Sequence, residues 1–426
     1  MDAHGPNEEG CVAEARQPSV SSPGEATTFR DLSPRWSRLS TWIANVIGAL
    51  ILPMMFILAY ALARQHHYGL PFVLTAILVP GWLSVLVVHE GGHWWVARRR
   101  AMTVTQVVIG PVEIQPRRRG VRIRLHRNRQ RGVGGYVMAY PDPGRDMRRD
   151  LIALALGGPL ANLAAALVLA VLAWWLGHSF AQAWCLLLGL LHLLAALFNL
   201  LPRSLNGAMV SDGLNVLRAY VNRVEDLPGA TFMAINGRLL RGESAGDLPE
   251  ALIRRLGEEP APMPALHDWL TVYLALGAHE LDAAEAALET LHARIDAYEE
   301  PIRQALGDLL IITQADCVFA RALDRRGAED LAAIAALDLD ARGFWHAPQL
   351  APRVRALAAA LRGDSMAARE QLLRSRRHAD NSAFASTVAS EAGLRECIEA
   401  IIDEADIADG TAPARAPGAI TQDASA

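Results

Sequence analysis

Five consecutive residues, His89-Glu90-Gly91-Gly92-His93, carry the strongest chemical signal in this chain. On a helix, positions i and i+4 share a face, so the two imidazoles can bind one Zn²⁺ together. Glu90 sits beside them, placed to act as a general base on the attacking water. The run before the motif, Leu70–Val88, carries no charge and is about the length that spans a bilayer. Two His and a Glu at the end of such a run are costly unless they are used. The bland alternative is a pair of histidines hydrogen-bonded inside a helix bundle. A catalytic zinc takes three protein ligands and leaves one position open, so a third ligand must come from elsewhere in the chain.

The elements that would position the motif are apolar. The 426 residues are 52% hydrophobic, with a mean hydropathy of +0.16, too apolar for an ordinary soluble protein. Four runs are long enough to span as helices: Thr41–Ala63, Leu70–Ala97, Leu151–Leu176 and Phe180–Leu201. The last two are joined by Gly177-His178-Ser179 alone, a tight hairpin. The four cysteines, Cys11, Cys185, Cys317 and Cys397, form no CxxC pair. They argue against a disulfide framework and against a thiolate zinc site.

Charge orients the spans. All 41 basic residues are Arg. Arg30, Arg35 and Arg38 precede the first span, and Arg98, Arg99 and Arg100 follow the second. The loop continues with Arg117, Arg118, Arg119, Arg122, Arg124, Arg127, Arg129 and Arg131, while the loop between the third and fourth spans has no Arg. Short basic loops stay in the cytoplasm. The expectation is an integral membrane protein, of a bacterial inner membrane, with both termini cytoplasmic and the motif near that face. Within the basic loop, Val104–Pro111, Val121–His126 and Gly134–Val137 read as short strands. They form either a small sheet whose edge holds an extended substrate or an anchoring surface for anionic lipid.

Asp212-Gly213 follows the fourth span and Asn199-Leu-Leu-Pro202, back at the level of the motif. An Asp-Gly pair is more often a turn, but its place makes Asp212 the best candidate for the third ligand, with Glu113 and Asp142 next. His192 lies in the fourth span, two turns before Asn199, either lining the cavity or hydrogen-bonded structurally. Trp94-Trp95, Trp174-Trp175 and Trp184 read as interface anchors.

The chain divides into a tail (1–35), a metal-site region (36–225), a linker (226–262), a helical region (263–405) and a second tail (406–426). Leu281–Leu288 and Ser365–Leu372 are similar Ala-rich segments, which suggests stacked helix pairs of tetratricopeptide type. The fold class expected is therefore mainly α: a polytopic bundle of about four spans, a small β element in the cytoplasmic loop and a C-terminal repeat-like helical domain.

Residues 40–220 resemble the site-2 proteases, intramembrane zinc metalloproteases. His89-Glu-Gly-Gly-His93 matches that family's His-Glu-x-Gly-His. Ile109-Gly-Pro111 and Gly134-Gly-Tyr136 look like its loop motifs. Gly157-Gly-Pro-Leu-Ala-Asn162 is similar to its Gly-Pro-x-Ala-Asn. Asn199-Leu-Leu-Pro202 with Asp212-Gly213 resembles its Asn-x-x-Pro…Asp-Gly, across a longer gap. The resemblance implies one Zn²⁺ held by His89, His93 and Asp212, and Glu90 as the catalytic residue. It implies that Asn162 and Asn199 bind substrate backbone or steady the developing oxyanion. The substrate would be a transmembrane protein cut in or near its span, with the lipid bilayer and a cytoplasmic protein bound by residues 263–405 as partners, and no nucleic acid. A non-catalytic membrane scaffold with a structural metal site is the competing reading. A metal transporter would need ionisable residues along several spans, and here they lie at one depth.

Overall fold

The computed structural model describes residues 31, 33–125, 134–177, 179–206, 209–340 and 342–408. Most of both expected tails, and Arg127, Arg129 and Arg131 of the basic loop, lie outside the described residues. The architecture is mainly α-helical, with four helices among the described residues long and apolar enough to cross a membrane. The first is α1 (Pro34–Gln65), capped by Ser33 and carrying Pro53 in its interior. The second span, Leu70–Arg99, is α2 (Leu70–Ala76) running into α3 (Trp82–Arg99) through a π-helical turn, Ile77–Gly81, that contains Pro80. Pro80 has no N–H to give to a regular α ladder, and the wider turn accommodates that loss. The third and fourth spans are α4 (Met147–Leu176) and α5 (Phe180–Leu200), an antiparallel hairpin. Large apolar side chains such as Leu50, Phe56, Leu78 and Leu167 face outward. A bilayer accepts that surface, whereas water would not.

Between α3 and α4 the chain forms a four-stranded antiparallel sheet in the order β3-β2-β1-β4. Its strands are β1 (Thr103–Ile109), β2 (Val112–Pro116), β3 (Val121–Leu125) and β4 (Gly135–Tyr140). Val107 pairs with Ile114 on one side and with Val137 on the other. That face packs on Ala97, Met102 and Leu154. The alternation in β1, β3 and β4 is visible in the sequence. Strand β2 is not among the strands expected: its five residues alternate and end on Pro116, with Ile114 toward this core and Glu113 and Gln115 buried on the opposite face. Arg100 donates to Asp150 at 2.7 Å and ties the end of α3 to the start of α4 beneath this sheet.

After α5 comes a short hairpin, β5 (Ser204–Asn206) with β6 (Met209–Val210), and then α6 (Asp212–Val221). The segment expected to be a linker instead carries α7 (Ala230–Arg241) and α8 (Glu250–Glu258). Its Ile235, Leu239, Leu248 and Leu256 share a core with Leu266, Leu270 and Leu291. Pro, Gly and charge punctuate this stretch at helix ends, so composition alone mimics a linker while the apolar face is buried.

The C-terminal body continues with α9 (Met263–Gly277), α10 (Leu281–Asp296), α11 (Glu300–Arg325), α12 (Ala328–Ala335), α13 (Leu350–Leu361), α14 (Ser365–Ala379) and α15 (Ala385–Ala408). The two similar Ala-rich segments are the starts of α10 and α14, the second members of the hairpins α9–α10 and α13–α14.

This body docks on the outer face of the sheet. The Trp345 indole donates to Glu113 at 3.0 Å, and the Arg122 guanidinium stacks over Trp345 at 4.1 Å. Asn381 donates to the Arg119 carbonyl at 3.0 Å. Glu113 is fully buried and also accepts from Arg124 and Gln106.

Candidate metal centre

The helical pitch of α3 brings the His89 and His93 Nε2 atoms to 3.2 Å of each other. Asp212, the first residue of α6, reaches the same point from the far side. Its Oδ2 lies 3.1 Å from His89 Nε2 and 3.6 Å from His93 Nε2. Asp212 is held there by the helix start: Ser211 caps α6 by accepting from the Leu214 N–H, and its hydroxyl donates to the Leu201 carbonyl at 2.6 Å. The Arg203 N–H donates to the same hydroxyl at 2.9 Å, pinning the long gap after Pro202. Glu113 and Asp142, the other candidate ligands, are engaged elsewhere. Glu113 serves the docking seam, and Asp142 binds Arg241 and the Gly144 N–H.

Two imidazole nitrogens and one carboxylate oxygen form a donor set that zinc accepts, with a fourth position left for water or substrate. Donors about 2.0–2.1 Å from a tetrahedral ion lie roughly 3.3 Å apart, and the three separations bracket that value. Among the described residues, His89, His93 and Asp212 form a group of three whose ligand atoms all lie within 4.8 Å of one another. His93 Nδ1 lies 2.6 Å from the Leu154 carbonyl, which fixes its proton on Nδ1 and leaves Nε2 free for a metal.

Two close approaches build the cradle. A Cβ at Gly158 of α4 would come within 2.8 Å of His89 Nε2, so only glycine lets α4 lie against the imidazoles. A Cβ at Gly135 of β4 would come within 2.7 Å of Glu90 Oε1. Of the two glycines inside the motif, Gly92 is the one pressed against α4, at Gly157 and Ala161, while Gly91 opens on space. Glu90 is 3% exposed, and its Oε2 has no hydrogen-bond partner among the described residues.

A cavity of about 830 Å³ opens over this group. His89, Glu90, His93 and Asp212 line it, together with Tyr136 of the β4 edge and Asn199 of α5. Asn199 donates to the Ala195 carbonyl one turn back. Asn162 is fully buried, its amide 3.2 Å from His89 Nδ1 and 2.9 Å from His192 Nδ1. His192 is 3% exposed and reaches Ser84 Oγ at 3.4 Å. Ser84 carried no signal in the sequence, since a lone serine in an apolar run is common.

No curated protein and no solved structure matches the chain. The model of Peptidase family M50 matches residues 77–184, a segment that contains His89, Glu90, His93 and Asn162 and stops before Asp212. Seen beside the four apolar spans and the His-His-Asp group, that match supports a membrane zinc metalloprotease.

Proposed function

We propose that the chain is an intramembrane zinc endopeptidase that hydrolyses peptide bonds in or near transmembrane segments of membrane proteins. The observation that carries this reading is the convergence of His89, His93 and Asp212 beside a buried Glu90 in one cavity. His89, His93 and Asp212 would hold the metal. When bound, zinc supplies a Lewis acid for the scissile carbonyl and acidifies the attacking water. Glu90 takes a proton from that water at its free carboxylate oxygen and returns it to the leaving amine nitrogen. The partnerless Oε2 supports this role and counts against a scaffold, because a buried polar atom without a partner is costly unless it is used.

The remaining residues handle substrate and water. Strand β4 is an edge of the sheet, and its Gly134–Val137 stretch lines the cavity. An extended segment can add to that edge through backbone hydrogen bonds, and Asn199 lines the same cavity. A substrate helix must unwind to use it, since a helix hides its peptide bonds. Arg asymmetry supports cytoplasmic termini and a cytoplasmic-side site in an inner membrane. The C-terminal body, docked on the sheet, would bind a cytoplasmic partner or select substrates. The test pairs metal analysis of the purified protein with cleavage of a single-span substrate in vesicles. About one zinc per chain and cleavage lost in Glu90→Gln are expected; a metal-free wild type or an active Glu90→Gln refutes the reading.

A further inference from the structure

His93 has its proton placed by a backbone carbonyl, but His89 does not. Its Nδ1 lies 3.2 Å from the Asn162 amide nitrogen, and the Asn162 amide oxygen lies 2.9 Å from His192 Nδ1. His192 Nε2 faces Ser84 Oγ at 3.4 Å, and Ser84 donates to the Gly81 carbonyl at 2.6 Å. Asn162 and His192 are buried, so each ring nitrogen needs a partner within this row.

The two ends of an amide are nearly the same in size and opposite in hydrogen bonding, so the row admits two proton arrangements. With the amide N–H toward His89, Nδ1 of His89 is an acceptor and the proton sits on Nε2, between His93 and Asp212. His192 then donates from Nδ1, and its Nε2 meets a hydroxyl whose hydrogen is committed to Gly81. With the amide turned over, His89 donates from Nδ1 to the Asn162 oxygen. The Asn162 N–H donates to His192 Nδ1, and His192 Nε2–H donates to Ser84. Every ring nitrogen in the row is then partnered, and His89 Nε2 presents a lone pair to the metal position.

We infer that Asn162, backed by His192 and Ser84, is a positioning relay that sets the tautomer of His89 for zinc. This inference rests on the zinc-site reading above. It gives Asn162 a role distinct from contact with the substrate backbone, in keeping with its complete burial. The relay also explains a polar row running from α4 through α5 to the π-helical turn: Ser84 and Gly81 flank the junction at which that turn gives way to α3. Outer partners of this kind are worth 10–100-fold in metal affinity.

The experiment measures Zn²⁺ affinity of the full chain in detergent by chelator competition, together with the visible spectrum of the Co²⁺-loaded protein. Asn162→Leu, equal in size but unable to accept, should weaken zinc by about 10–100-fold and alter the Co²⁺ bands. Asn162→Asp, which accepts from His89 Nδ1–H, should restore affinity to within a few-fold of wild type. His192→Phe should weaken zinc in the same direction, and the double variant should lose less than the two single losses combined, since both residues act through one row. Wild-type affinity in Asn162→Leu, or an Asn162→Asp no better than Leu, overturns the relay and leaves the zinc site standing. If Asn162→Leu does not fold, wild-type affinity in His192→Phe overturns the relay on its own. A wild-type chain that takes up no zinc overturns both the relay and the zinc-site reading.

Discussion

Replacing Gly158 by alanine adds one methyl group, and the structure states where it goes. Its Cβ would lie 2.8 Å from His89 Nε2, about 0.6 Å short of the 3.4 Å at which ordinary contact begins. His93 Nε2 is closer still. Neither ring can retreat freely: His93 is held by Leu154, and His89 faces the Asn162 amide. Overpacking of this kind costs about 1–3 kcal/mol, or roughly five- to 150-fold in an equilibrium constant. Metal–ligand distances tolerate only about 0.2 Å, so that cost should fall on zinc binding and cleavage together. The assay is zinc affinity by chelator competition on folded Gly158→Ala, with Gly91→Ala as comparison. A Cβ at Gly91 meets nothing within 4 Å, so zinc binding there should stay unchanged although Gly91 lies inside the motif. Wild-type zinc affinity in Gly158→Ala, or equal losses at both positions, would refute the reasoning.

Glu90→Gln should lower cleavage by at least 10²–10⁴-fold, the usual worth of a general base, while zinc content stays at the wild-type level; zinc lost in parallel would contradict the role. Asp212→Ala should release zinc, since two histidines alone make a poor site, and Asp212→Asn should bind it weakly; full metal in both would move the third ligand elsewhere. Burial alone would raise the Glu113 carboxyl, but the Arg124 hydrogen bond and charge, aided by His346 and Trp345, hold it below its ordinary value of 4.5. The ionised form therefore favours the folded seam at pH above 4.5, and this support is lost as pH falls through the lowered folded value. Limited proteolysis of the docked C-terminal body should show release in that acid range, and Glu113→Gln should abolish the pH dependence; release in mild alkali would reverse the sign. Cysteine labelling from each side of the membrane should reach Gly177–Ser179 from outside and the 98–125 segment from inside, and the opposite pattern would overturn the orientation.

The spans and the motif were legible in the chain because both are local. An apolar run of about twenty residues can only be satisfied as a helix in lipid, and the 3.6-residue pitch puts His89 and His93 together wherever that helix goes. Asp212 could be nominated from its place after the fourth span, but its arrival 3.1 Å from His89 depends on the Ser211 cap and on the packing of α6 against α4. The burial of strand β2 and of the helices in segment 226–262 lies beyond local reading for a shared reason. Their charges and prolines resemble loop chemistry, and only partners from other elements, such as Arg124, Trp345 and Leu270, cover Glu113 and the apolar face of the segment. The Asn162–His192–Ser84 row has no trace in local periodicity, because its members sit on three different helices. Backbone geometry writes the period of a single element into the sequence. The convergence of separate elements is a property of packing, and for this chain packing decided which buried polar groups face the metal position and which face one another.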